Sequence, residues 1–329
     1  MTVALASFAD CVDLASDALG GEVLTATDDF FAAKENLLKD APAVFDPKAY
    51  TDRGKLMDGW ESRRKRTSGH DSCILRLGVP GLVRGFDIDT SWFMGNQPQF
   101  GSIEGCVAPA GLSGEELAEF DGWTEILGQV PLDAGSHNLF AASRVDEFTH
   151  LRLHIYPDGG VARLRVYGIP RPSSAVGADL DLAALQSGGR AIGASDMFYG
   201  DANNLLRPGR AENMGGGWET KRRRDTGHDW VVVRLAGRGT IRRVGCIKRG
   251  VRQVQSQRVG KAQKVRPIRA VAMQDHNQLS GGFAGGRCKT WAVEKGRKGA
   301  CHFWGNLIIR LVSSGRPPRK VTAVFPVDA

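Results

Sequence analysis

The chain has 329 residues, 42% hydrophobic and 24% charged, which suits two globular domains and excludes wholesale disorder. Its net charge of +8 is uneven: 17 of the 44 Lys and Arg, but only three acids (Asp275, Glu294 and Asp328), lie in residues 245–329, leaving +14 there and −6 elsewhere. The first 244 residues are therefore a mildly acidic body with no nucleic-acid partner expected.

Six cysteines without a C-x-x-C pair provide neither a zinc knuckle nor a disulfide scaffold, so free thiols are expected. The N-terminus, MTVALASFADCVDLASD, lacks a basic stretch and meets Asp10 and Asp13 too early for a signal peptide. No apolar run reaches membrane-spanning length. A soluble, cytosolic protein with no membrane partner is expected.

In chain order, a short helix is predicted to end at Gly20-Gly21, where glycine takes the left-handed C-cap readily. The signals then turn mostly β. ATDDFF (26–31) places Asp28 after the first strand, and WESRRKRTSGHD (60–71) gathers Glu61, Arg63, Arg64, Arg66, His70 and Asp71. CILRLG (73–78) and VRGFDID (83–89) predict strands, with Asp87 and Asp89 on one face. FDIDTSWFMGNQP (86–98) adds Thr90 and Asn96, and Ser113 with Glu116 predicts a capping box. Leu151, Leu153 and Ile155 alternate with Arg152, His154 and Tyr156. A Pro157-Asp158-Gly159-Gly160 turn and the alternating Leu164 and Val166 complete a predicted hairpin.

The chain then repeats itself. WETKRRRDTGHD (218–229) matches residues 60–71, and with the preceding Gly eight of 13 positions are identical. Upstream, DLASDALGGEVLTATDDFF (13–31) parallels DLAALQSGGRAIGASDMFY (181–199), so Asp196 corresponds to Asp28. The second copy supplies Glu219, Arg222, Arg223, Arg224, His228 and Asp229. Many short strands per copy predict an all-β fold, a tandem repeat of two jelly-roll β-sandwich domains. The domains are placed at 1–168 and 179–244, with a Pro/Ser-rich linker at 169–178 and a basic tail at 245–329.

Guanidinium groups suit a carboxylate ligand because their planar donors bind it bidentately. An imidazole beside a carboxylate suits acid–base work near neutral pH. The repeated segment thus fits a small anionic substrate. Against this, an Arg-rich loop is often simply solvated, Gly-His-Asp can serve as a turn, and Trp60 and Trp218 suit packing better than substrate binding. No His, Asp and Glu spacing matches a metal motif, and no cofactor is expected with certainty.

These blocks resemble the allantoicase family. The likeness is carried by ATDDFFAAKENLL, GKLMDGWESRRKRTSGHDSCILRLG, FDIDTSWFMGN, THLRLHIYPDGGVARLRVYG and NMGGGWETKRRRDTGHDWVVVRL, over about residues 13–244. The resemblance implies two galactose-binding-like sandwiches and hydrolysis of allantoate to ureidoglycolate and urea by a homo-oligomer. On that likeness Arg64 and Arg222, with Arg63, Arg66 and Arg224, would hold the substrate carboxylate. His70 or His228, with Asp71 or Asp229, would move the proton. Asp28, Glu61, Asp196 and Glu219 would orient ureido N–H groups, the two glutamates counted with the catalytic set. Which copy works, and whether a divalent metal takes part, stay open. A non-catalytic module binding a carbohydrate or small anion is the alternative.

The likeness breaks at Gly245. VGCIKRGVRQVQSQRVGKAQK follows where an echo of Phe86-Asp87-Ile88-Asp89-Thr90 is due, and no second PDGG block appears. The charge jump and lack of clear β-patterning suggest a shifted reading frame or sequencing error disrupting the second sandwich, with a genuine basic tail as the alternative. Exposed apolar faces and unpaired edges are expected there.

Overall fold

The computed structural model describes residues 8, 11–171, 180–209, 211, 213–224, 229–237, 240–246, 255–258, 290–291, 307–312 and 322–327. The chain forms two compact units, residues 1–173 and 174–329. The division falls inside the expected linker, although Ile169 and Pro170 are still paired in a strand, opposite Leu82 and Gly81.

The first unit is almost entirely β. Its strands are β1 (Val12–Asp13), β2 (Glu22–Ala26), β3 (Tyr50–Thr51), β4 (Gly54–Lys55), β5 (Trp60–Glu61), β6 (Asp71–Asp89) and β7 (Phe100–Cys106). After one short helix, α1 (Gly114–Ala118), come β8 (Thr124–Pro131), β9 (His137–Ala141), β10 (Glu147–Tyr156), β11 (Gly160–Val161) and β12 (Arg163–Pro170). The capping box forms as its spacing predicts: Ser113 Oγ accepts from Glu116 N at 3.2 Å and Glu116 Oε2 accepts from Ser113 N at 2.7 Å. The predicted opening helix is a 3-10 turn, Asp17–Leu19, closed by Gly20 at φ 93°.

β6 organises this unit. It runs for 19 residues. Its first half pairs with β2 and β10, which reaches on to Gly81 and Leu82 past a bulge, and its second half with β12 and β9. One strand thus serves both layers, crossing between them where Gly81 lets the Ile169 carbonyl approach: a Cβ there would sit 2.6 Å from that oxygen. The alternate apolar residues Leu75, Leu77, Val83, Phe86 and Ile88 are buried, as are Leu151, Leu153, Ile155, Leu164 and Val166 opposite them. Burying each side chain of this size contributes about 1.5–3 kcal/mol.

The predicted hairpin is corrected. β10 pairs with β6 and β7, whereas β12 pairs with β1 and the other half of β6. The PDGG turn therefore carries the chain from one layer to the other, and β11 within it pairs with β5. Alternation and turn residues announce two strands and a reversal, but the long β6, offering each strand a different half, decides the partners.

In the second unit, β13 (Leu180–Asp181), β14 (Arg190–Ala194), β15 (Asp229–Arg234) and β16 (Thr240–Cys246) precede β17 (Gln255–Arg258), β18 (Thr290–Trp291), β19 (Leu307–Val312) and β20 (Thr322–Val327). Two four-stranded sheets result, β13-β19-β16-β17 and β14-β15-β20-β18. Its opening 3-10 turn, Leu185–Ser187, ends at Gly188 with φ 99°, like the first. The tail expected to lack β-pattern does supply strands, and β15 and β16 take the two roles of β6. Their partners come in the reverse chain order, however: β19 matches β12, and β20, which matches β10, follows it. Among the described residues no helix is long and apolar enough to cross a membrane.

Candidate active site

The repeated segment is anchored by its tryptophan. Trp60 is fully buried, and its Nε1 donates to the Asp28 carbonyl at 2.8 Å. Trp218 is buried likewise and donates to the Asp196 carbonyl at 2.7 Å. Both indoles therefore pack, as the sequence suggests, and tie the segment to the end of β2 or β14.

Asp28 is consumed by Arg63. Its carboxylate accepts from Arg63 N at 2.8 Å and Nε at 2.7 Å, with Nη2 at 2.6 Å and Phe30 N at 3.1 Å. Burial pushes this carboxyl up, but the bonds from Arg63 and Phe30 outweigh it and hold the group below its ordinary range. Arg63 also lies over the Phe30 ring, 5.1 Å from its centre, as Lys221 lies over Phe198 at 4.5 Å. Asp196 accepts from Phe198 N at 2.7 Å. Asp28 and Arg63 thus shape the loop rather than present free groups to a ligand.

The expected His70–Asp71 pair does not form. Asp71 points inward, 1% exposed, accepting from Thr27 Oγ1 at 2.8 Å and Lys65 Nζ at 2.6 Å. Asp229 repeats this lock with Ser195 Oγ at 2.8 Å, Thr220 Oγ1 at 2.8 Å and Arg223 Nε at 3.5 Å. Sequence adjacency misleads here: neighbours along a strand project to opposite faces, so Asp71 enters the interior while His70 stays outside. Asp71→Ala is expected to cost about 2 kcal/mol by stranding buried donors, read from chemical unfolding. An unchanged midpoint would refute the lock.

His70 instead joins a polar file across the outer face of β10 and β7. Its Nε2 lies 2.9 Å from His154 Nδ1, and His154 Nε2 lies 2.9 Å from Glu104 Oε2. Arg152 Nε donates to the same Glu104 oxygen at 2.8 Å. The Tyr156 ring sits 4.4 Å from the His70 ring, and its hydroxyl shares a hydrogen bond with Ser102 at 3.0 Å. Burial, then the neighbouring His154, lower the His70 pKa, partly offset by Asp71. Sequence reasoning does not single out His154, Glu104 and Arg152 as site residues. Their one signal is the polar half of the β10 alternation, which the register sets opposite Ser102 and Glu104.

Glu61 is half-buried, and Asn96 Nδ2 donates to its Oε1 at 2.6 Å. Burial raises its pKa, with Asn96 opposing. The PDGG turn braces the same loop: Lys65 N donates to Asp158 Oδ2 at 2.7 Å, and Gly160 N to the Asn96 carbonyl at 2.8 Å. Arg64, Arg66, Arg222 and Arg224 are exposed and make no hydrogen bond or ion pair among the described residues. Glu219 is half-buried, its backbone paired with Gly200. His228 lies outside the described residues. Asp87 and Asp89 do share a face, but buried, with His137 Nδ1 2.7 Å from Asp87 Oδ2. Among the described residues no group of three His, Cys, Asp or Glu is placed to hold a metal. Cys73 and Cys106 are buried free thiols, pushed by burial up to about 12 and about 11.

Two β-sandwich units, each carrying the same Trp-anchored segment of arginines, glutamate and a Gly-His-Asp ending in its sequence, define a tandem-repeat jelly-roll protein. The family model described as "Allantoicase repeat" matches residues 12–171 and 180–253, running past Gly245, where the internal likeness stops. The chain is 49% identical over 247 residues to a probable allantoicase of Pseudomonas syringae pv. syringae, covering 74% of this chain and 73% of that one. It is 50% identical over 241 residues to a probable allantoicase of Photobacterium profundum, covering 72% of each. The crystal structure of allantoicase from Saccharomyces cerevisiae superposes with a TM-score of 0.61 at 32% identity, covering 76% of this chain and 82% of that one. The chain belongs to the allantoicase family.

Proposed function

We propose that this chain hydrolyses allantoate to ureidoglycolate and urea, in the cytosol and as a homo-oligomer, and that the working site is the first copy's. The observation that carries the reading is that the segment responsible for much of the family likeness also bears His70 and the exposed Arg64 and Arg66 on one loop. Arg64 and Arg66 offer bidentate donors to the substrate carboxylate. His70 takes the proton of the attacking water and returns it to the departing urea nitrogen. Glu61, its carboxyl pushed up by burial against the Asn96 hydrogen bond, faces the ureido groups from the same loop. The first copy is preferred because His70 is backed by His154 and Glu104, whose segments have no repeat after Gly245. Incubating the chain with allantoate is expected to release urea; tight allantoate binding without urea would overturn the enzyme in favour of a binding module.

We also propose that residues beyond about 245 arise from a shifted reading frame. Supporting this, alignments to relatives leave about a quarter unmatched on both sides: 26% of this chain and 27% of the first relative. Both sequences thus carry residues outside the matched stretch, in similar proportion. Translating the coding DNA in its other two frames is expected to restore an Asp-Thr followed by a PDGG turn; finding neither would end the proposal. The repaired chain is expected to unfold at higher denaturant concentration than this one.

A further inference from the structure

Resting on the reading of His70 as the proton-transfer group, we propose that Glu104 and His154 are positioning residues that fix the His70 tautomer. They leave His70 Nδ1 as the atom that accepts the proton of water. Hydrogen-bond roles dictate this. An ionised carboxylate only accepts, so the His154 nitrogen 2.9 Å from Glu104, Nε2, carries a hydrogen. A neutral imidazole has one donor and one acceptor nitrogen, so His154 Nδ1 presents a lone pair. His70 Nε2, 2.9 Å from it, must donate. His70 Nδ1 is left unprotonated, and it makes no bond among the described residues.

The surroundings keep the file in this state. Arg152 donates to the Glu104 oxygen that His154 uses. Burial raises the Glu104 carboxyl, but the bonds from His154 and Arg152 prevail and hold it below the ordinary range. The charged and titratable groups bearing on His70 are His154, Asp71, Lys65 and Arg152. Burial first, then His154, with Lys65 and Arg152 behind them, favour the neutral ring against the opposing Asp71.

The step balances. Water oxygen bonds to the central carbon of allantoate, and the bond from that carbon to one ureido nitrogen breaks, its electron pair going to nitrogen. The water proton passes to His70 Nδ1 while the Nε2 proton moves to His154 Nδ1, so the positive charge rests beside Glu104. Reversal of that path delivers one proton to the urea nitrogen. One water and one allantoate give one ureidoglycolate and one urea.

Two readouts test the assignment in the full chain: nitrogen NMR of the histidine rings, and the pH profile of kcat for the native chain, Glu104→Gln and His154→Asn. His70 is expected as the Nε2–H tautomer. Glu104→Gln is expected to lose about tenfold or more in kcat. It should also move the acid limb to lower pH, because the imidazolium loses its counter-charge. His154→Asn is expected to lose a comparable factor. A purely structural Glu104 would lower the rate without moving the limb, and an unmoved limb overturns the proposal. Urea release from a chain whose His70 carries hydrogen on Nδ1 overturns this assignment alone. An Nε2–H tautomer in a chain that releases no urea overturns the hydrolase reading and, with it, the proton step. The NMR measurement uses the unaltered chain, so it decides even if a variant fails to fold.

Discussion

His70→Ala is expected to lower urea release from allantoate by about 10²–10⁴-fold, the range for loss of a positioned acid–base group. The loss should fall on kcat, since the arginines of the loop remain to bind the carboxylate, and KM should move little. The fold should be spared. His70 is exposed, its ring partners lie on the outer face of β10, and the inward lock is made by Asp71. Initial rates across an allantoate series separate the two constants. Full activity in the variant would remove His70 from the mechanism and leave the arginine loop as a binding surface only.

The second large effect concerns stability. Trp60→Ala is expected to cost about 3–5 kcal/mol, the usual range for emptying a large buried aromatic site. Trp60 is fully buried and is hydrogen-bonded across 32 residues of sequence to the carbonyl of Asp28. Removing it opens a cavity and detaches the loop from the end of β2. Trp60→Phe should lose much less, with the missing indole bond costing about 1 kcal/mol. Urea denaturation followed by far-ultraviolet circular dichroism measures both. An alanine variant within about 1 kcal/mol of the native chain, roughly the effect of an average substitution, would show that the indole is not the anchor.

Much of this is legible in the residues. The alternation around Leu151 and Leu164 marks two real strands, Ser113 and Glu116 mark a real capping box, and the Gly-Gly pairs mark real left-handed caps. The two copies of the Trp-to-Asp segment lead directly to the loop that carries the candidate site. What stays hidden is pairing. A period of two reports which face a residue takes and not which strand lies beside it, so the PDGG turn reads falsely as a hairpin, and His70 and Asp71 falsely as partners. Glu104 and His154 are 50 residues apart in sequence and meet only because β7 and β10 are neighbours in one register. Arg63 looks like a ligand-binding cation because nothing in its sequence shows that Asp28, 35 positions earlier, already occupies it.

The length of β6 has a mechanical consequence. Since one uninterrupted strand contributes hydrogen bonds to both layers, neither layer of the first unit can unfold without disturbing the strand on which the other is paired, and the two should melt as a single cooperative block. In the second unit the corresponding roles fall to two strands, β15 and β16.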